Sequence, residues 1–273
     1  MSTRTLRMKK HALHRKLNEQ ARAKKAGAYL RWFHTRDMPG SGTKTRLVCE
    51  KAAADELHLM SDAEHAAFLE AWWRDDVLTI FDQYALDREK TQRAALSVNV
   101  DHPRYDGRSE SAVLSTDLVL NVRRGSTYIR EANSVKSARS NASETLTRMQ
   151  LIERRMWENE GAIYRLVTAN GMHANRSKNL AWIFRAHNDT VGRQLSDFEL
   201  IARREILRFF RRRKDVRVVD ACRYVDHTFE LASGTAVQAF RQLAGAKYLA
   251  FSLNVPDPIQ LSFSEIWRPK RNA

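Results

Sequence analysis

Asp117 and Lys136 are the residues of this 273-residue chain best placed to do chemistry. Asp117 sits in Val113-Leu114-Ser115-Thr116-Asp117-Leu118-Val119-Leu120, a run rich in Val, Leu and Thr that reads as a largely buried strand. A charge inside such a strand is costly unless a metal or a cation compensates it. The polar turn Arg123-Arg124-Gly125-Ser126 follows, and a second strand runs from Tyr128 to Lys136. Strand alternation puts Val113, Ser115, Asp117 and Val119 on one face, and Ser134 with Lys136 on one face of the second strand. The hairpin then sets acid and lysine side by side, with the Val135 carbonyl available between Ser134 and Lys136. A divalent-metal nuclease centre has this composition, and a buried Asp117–Lys136 ion pair is the alternative.

A second acid comes from a helix that starts at Ser61-Asp62-Ala63-Glu64. Ser61 and Glu64 fit a capping box, in which Glu64 would only satisfy the helix end. Yet Ala67, Phe68, Ala71 and Trp72 follow it at helical spacing, which puts Glu64 on the apolar face. A carboxylate facing the core needs a partner, and a metal shared with Asp117 would supply one. Glu153 lies among Leu146, Met149 and Met156 on another helix, read from Ser143 to Gly161. It is either an acid near the metal or an ion-pair partner of Arg154 or a neighbour.

These groups match the needs of phosphodiester hydrolysis. Mg²⁺ held by Glu64, Asp117 and the Val135 carbonyl, with Mn²⁺ as a substitute, would supply an activated water and polarise the phosphate. Lys136 would orient or deprotonate the water and offset developing negative charge.

The elements around these residues point to two domains. A basic arm or marginal helix is expected over 1–30, where nine Lys and Arg face one Glu. An α/β domain with a mixed sheet is expected over 31–170. It contains a loop at Pro39-Gly40-Ser41-Gly42, a short strand near Leu47, and a strand edge or turn at Asp82-Gln83-Tyr84-Ala85-Leu86. An irregular polar loop follows over 87–111, and the strand–helix–strand order through Ala162 to Thr168 predicts a parallel crossover. Over 171–273, helices precede two strands, Tyr248 to Ser252 and Ile259 to Phe263, which makes a winged helix-turn-helix. Gly234 to Arg241 would be its recognition helix.

The net charge of +15 points to a polyanionic partner such as double-stranded DNA. A second basic cluster, Arg211-Arg212-Arg213-Lys214, strengthens that reading. With 43% hydrophobic residues and six Trp the chain is a folded protein, not a disordered one. No apolar run is long enough for a bilayer and no signal peptide is read, so no membrane partner and a cytoplasmic, nucleoid-associated location are expected. Cys49 and Cys222 have no metal-ligand spacing and read as reduced, buried thiols.

The order of features resembles the TnsA family, the endonuclease subunits of heteromeric transposases. The matching stretches are Tyr29-Leu30-Arg31-Trp32 with Pro39-Gly40-Ser41-Gly42, Leu57 to Glu64, Asp82-Gln83-Tyr84-Ala85-Leu86, Leu114-Ser115-Thr116-Asp117, Ser134-Val135-Lys136, and Glu153-Arg154-Arg155-Met156-Trp157. The resemblance implies a restriction-endonuclease-like domain followed by a winged helix. It implies a cut-and-paste role in which this subunit cleaves the 5′ ends of a transposon. A TnsB-like transposase would cut and join the 3′ ends, and a TnsC-like AAA+ regulator is the other implied partner. Glu64 and Asp117 carry over as metal-binding acids and Lys136 as the catalytic lysine. Ser134 stands where related nucleases carry an acid, which leaves one or two metals open. A stand-alone restriction or repair nuclease and a non-catalytic DNA-binding adaptor are the competing functions.

Overall fold

The computed structural model describes residues 9–37, 43–106, 109–136, 146–169 and 172–269. The loop read at 39–42, Gly107 and the helix start read at Ser143 lie outside the described residues. The chain divides into two compact units, 1–171 and 172–273.

The first unit opens with α1 (Lys10–Lys25), a strongly charged helix. Its buried Leu13 joins Trp32, Phe33, Tyr105, Ala112 and Val113. The Lys16 ammonium donates to the Trp32 carbonyl at 2.6 Å and pairs with Asp37 at 2.9 Å. One apolar anchor and one ionic anchor thus hold a segment whose own apolar content is too low for a free-standing helix.

A short antiparallel pair, β1 (Thr45–Leu47) and β2 (Leu57–Leu59), leads into α2 (Asp62–Trp73). The main sheet then forms from β3 (Val77–Ala85), β4 (Ser115–Arg124), β5 (Thr127–Lys136) and β6 (Ile163–Thr168), in that order. The first three strands run antiparallel and β5 pairs with β6 in parallel, through α4 (Arg148–Asn159). The sheet is therefore mixed. Leu118, Val119, Leu120 and Val122 are all fully buried, as a strand covered on both faces requires. Gly125 turns the β4–β5 hairpin at φ 60°, in the left-handed region that glycine enters at least cost.

Two sequence expectations are corrected here. Val77 to Ala85 is one nine-residue strand, not a strand edge or turn. The polar stretch 87–111 contains a helix, α3 (Arg88–Ser97). Asp87 caps it by accepting from the Glu89 and Lys90 amides, and Thr91, Ala94 and Ala95 form its narrow buried stripe. Two alanines and a threonine give too weak an apolar signal to stand out against six charged or polar neighbours.

Two buried acids tie the unit together. Glu131, fully buried on β5, accepts from Arg74 at the end of α2 (2.6 Å) and from Arg124 (3.0 Å). Asp82, fully buried on β3, is clamped by the Arg31 guanidinium and receives the His58 amide at 2.8 Å and the Tyr29 hydroxyl at 3.0 Å.

In the second unit α5 (Ala174–Asn188), α6 (Asp197–Arg212), α7 (Val218–Thr228) and α8 (Thr235–Gly245) pack together. The expected recognition helix, α8, is instead the central one. It buries Ala236, Ala239, Phe240, Gln242, Leu243, Ala244 and Gly245, and none of its residues is exposed. A Cβ on Gly245 would lie 2.5 Å from that of His187, so glycine sets how closely α5 and α8 approach. Arg241 is turned to the Trp182 carbonyl, at 2.6 and 2.9 Å.

The two strands expected over 248–263 are not formed either. Ala250 and Trp267 exchange backbone bonds of 2.8 and 2.9 Å, an isolated pair, and Pro258–Gln260 and Phe263–Glu265 are 3₁₀ turns. Pro256 and Pro258 have no N–H to give a ladder, and Asp257 caps the turn by accepting from the Ile259 amide. Cys49 and Cys222 are free and buried. Among the described residues no helix is long and apolar enough to cross a membrane.

The Asp82 clamp yields a stability test. Arg31→Met leaves a carboxylate buried without its counter-charge, and urea unfolding should show a loss of about 3–5 kcal/mol. A loss below about 1 kcal/mol would contradict the clamp.

Candidate active site

Ser61 caps α2, its hydroxyl accepting from the Glu64 amide at 3.2 Å. The Glu64 side chain does not complete a capping box on the Ser61 amide. It accepts from the Met60 amide at 2.9 Å, the Ser61 hydroxyl at 3.3 Å and the Gln83 carboxamide at 3.1 Å. It is buried, as the apolar spacing of α2 predicts.

Asp117 lies on β4 opposite the Ser134 end of β5, and its Oδ2 accepts from the Val135 amide at 2.7 Å. The peptide at Val135 therefore contributes an N–H donor to the acid, besides the carbonyl that the sequence draws attention to. Lys136 closes β5 two residues past Ser134 and is half-buried.

Electrostatics joins the two acids. Burial raises the Glu64 carboxyl above its ordinary range, and the negative charge of Asp117 raises it further. Asp117 is half-buried, and partial loss of solvent raises its carboxyl as well, against the lowering effect of the Val135 amide and the nearby Gln83 side chain. Two carboxylates on different elements thus share one place, and each is disfavoured as an anion.

Glu153 is the third acid. It is buried on α4 and accepts from the Thr116 hydroxyl at 2.6 Å, while the Trp157 indole donates to the same hydroxyl at 2.8 Å. Burial, and then Asp117, push it up to about 8. It does not pair with Arg154, which is bonded to Glu158 at 2.7 Å on the exposed side of α4. Gln83 is the site residue that sequence reasoning missed. A neutral side chain in an apolar strand carries no charge signal, although its neighbour Asp82 marks the stretch as unusual.

The donor set fits a hard divalent cation. Among the described residues, no three His, Cys, Asp or Glu side chains gather into a metal-holding group. A cation here would be held by Glu64 and Asp117, with the neutral oxygens of Val135, Gln83 or Ser134 to hand. Mg²⁺ matches such a set, since it takes one or two carboxylates and keeps several waters.

Arg211 and Arg212 end α6 and Arg213 and Lys214 follow it, all four exposed. Lys214 sits 3.7 Å from the Phe210 ring centre and Arg213 lies 3.7 Å from Asp215. Arg211 and Arg212 extend the positive surface beyond these contacts.

No protein-family model matches the chain. It is similar to the Transposon Tn7 transposition protein TnsA of Escherichia coli, 26% identical over 226 residues that cover 82% of this chain and 80% of that protein.

The raised acids set a pH dependence. The folded protein binds more protons than the unfolded chain between the usual glutamate value of 4.5 and about 8, so metal-free stability should fall as pH rises through that window. Each such carboxyl contributes a slope of up to about 1.4 kcal/mol per pH unit. Glu153→Gln should flatten the profile when urea unfolding is followed in EDTA across the window. An unchanged profile would contradict the assignment.

Proposed function

The chain is a TnsA-like protein, and on that footing we propose that it is a divalent-metal-dependent DNA endonuclease acting in transposition. The observation that carries the reading is the meeting of Glu64 and Asp117 from different elements, in a setting that disfavours both as bare anions. The mixed sheet with α2 and α4 beside it supports a restriction-endonuclease-like nuclease domain in the first unit.

Mg²⁺, or Mn²⁺ in its place, would supply the Lewis acidity that phosphodiester hydrolysis needs. Glu64 and Asp117 hold their oxygens in register for it, Glu64 through the Met60 amide and Asp117 through the Val135 amide. Lys136, at the end of the strand that orders Asp117, is the residue to orient or deprotonate the attacking water and to face the developing charge. Glu153 braces Thr116, the residue before Asp117, from behind the sheet. Ser134 offers a hydroxyl where an acid would strengthen a second metal position, which favours few protein ligands.

The cut assigned to this subunit is at the 5′ ends of a transposon. A TnsB-like transposase handles the 3′ ends and a TnsC-like AAA+ regulator completes the assembly. The exposed basic end of α6 is the part of the second unit best suited to a phosphate backbone, in place of the buried α8. For that unit a winged-helix role rests on helix order alone, since the wing strands are not formed.

The test is cleavage of transposon-end duplexes with Mg²⁺, with and without the partner transposase. Strand breaks at the 5′ ends should require the partner, and Asp117→Asn or Lys136→Met should lower their rate by on the order of 10²–10³-fold. Partner-independent cutting would identify a stand-alone nuclease. Undiminished cutting by Asp117→Asn would exclude this centre.

A further inference from the structure

Gln83 occupies a backbone conformation that nothing in its own chemistry favours. It sits inside β3 at φ 45°, in the left-handed region, yet it is neither glycine nor asparagine. The surroundings enforce it. The Trp32 amide donates to the Gln83 carbonyl at 2.9 Å, and the preceding residue is the fully buried Asp82, fixed by Arg31, Tyr29 and the His58 amide. Strain sustained by so many contacts is found where a side chain must be aimed.

The side chain is aimed between the two acids. Asp82 pairs with Leu118 and Tyr84 with Thr116, so Gln83 stands directly across from Asp117. Its Nε2 lies 3.1 Å from Glu64 Oε2, and its side chain is close enough to Asp117 to lower that carboxyl. The group is 4% exposed. Met60 and Ser61 serve Glu64, and Val135 serves Asp117. An amide NH₂ carries two hydrogens at a fixed angle and can serve two acceptors at once.

We propose that Gln83 is a positioning residue whose carboxamide bridges Glu64 and Asp117 in the metal-free protein, and that an entering divalent cation displaces it. The proposal rests on the reading of Glu64 and Asp117 as metal ligands. The amide holds the site assembled because it reaches from one acid toward the other. A cation takes that place more strongly, because it offsets charge where the amide offers only a dipole. The same carboxamide also carries an oxygen, so turning it over converts a donor to the acids into an acceptor toward a cation.

Thermal unfolding of the full chain tests this, first in EDTA and then with Mn²⁺. In EDTA, Gln83→Met should lower the midpoint by about 2–4 °C, the shift expected for a lost hydrogen-bonding group in a protein of this size. That shift should vanish when Glu64→Ala and Asp117→Ala, which remove both acceptors, are already present. Gln83→Glu adds a third carboxylate, so it should lower the EDTA midpoint further and show a larger Mn²⁺-induced rise than the wild type. If Gln83→Met does not fold, Gln83→Gly fits the left-handed backbone and carries the same comparison. An equal effect of Gln83→Met in both backgrounds would overturn the bridge and leave Gln83 as packing. A coupled effect in EDTA with no Mn²⁺ response in the wild type or Gln83→Glu would establish the bridge and overturn both the displacement and the metal reading.

Discussion

Two like-charged carboxylates held at one place in a largely buried setting are the constraint on which the rest of the first unit depends. Glu64 comes from the first turn of α2 and Asp117 from the middle of a four-stranded sheet. Left to themselves they would repel, and each loses hydration on burial. The chain answers with neutral donors, the Met60 and Val135 amides and the Ser61 and Gln83 side chains. None of these removes the repulsion. Such an arrangement is costly as structure and useful as a cation site, which is why the nuclease reading accounts for it better than a packing role does.

The scaffold around the pair is built from charges that are fully compensated. Asp82 has Arg31, and Glu131 has Arg74 and Arg124. These buried pairs lock β3 to the segment before β1, and α2 to β5, so the elements bearing Gln83, Glu64 and Val135 cannot shift independently. The contrast is informative. Asp82 and Glu131, which tie the first unit together, each have a guanidinium. The hydrogen bonds that fix Glu64 and Asp117 come from backbone amides, a hydroxyl and a carboxamide.

Much of this was legible in the sequence because it followed period and punctuation. Ser61 ahead of a helical apolar stripe gave α2 and the inward face of Glu64. The Gly125 turn between two β-rich runs gave the hairpin, and strand–helix–strand order gave the parallel β5–β6 pair. The misses have physical causes. In α3 small residues hid the buried stripe. In the second unit Leu249, Phe251 and Leu253 alternate like a strand, but they pack into the helical core while two prolines prevent a ladder. Phe240 and Leu243 looked compatible with a recognition helix because helical spacing cannot tell a partly buried helix from a central one. Gln83 was invisible because its role depends on a backbone twist and on which residue faces it across the sheet, and no local pattern encodes either.

The central claim is that Glu64 and Asp117 form one divalent-metal site. Calorimetric titration of Mg²⁺ or Mn²⁺ into the full chain, with a short DNA duplex present, tests it most directly. The wild type should bind the cation and both Asp117→Ala and Glu64→Ala should lose that binding, with circular dichroism showing each variant folded. Equal cation binding by the wild type and both variants would contradict it.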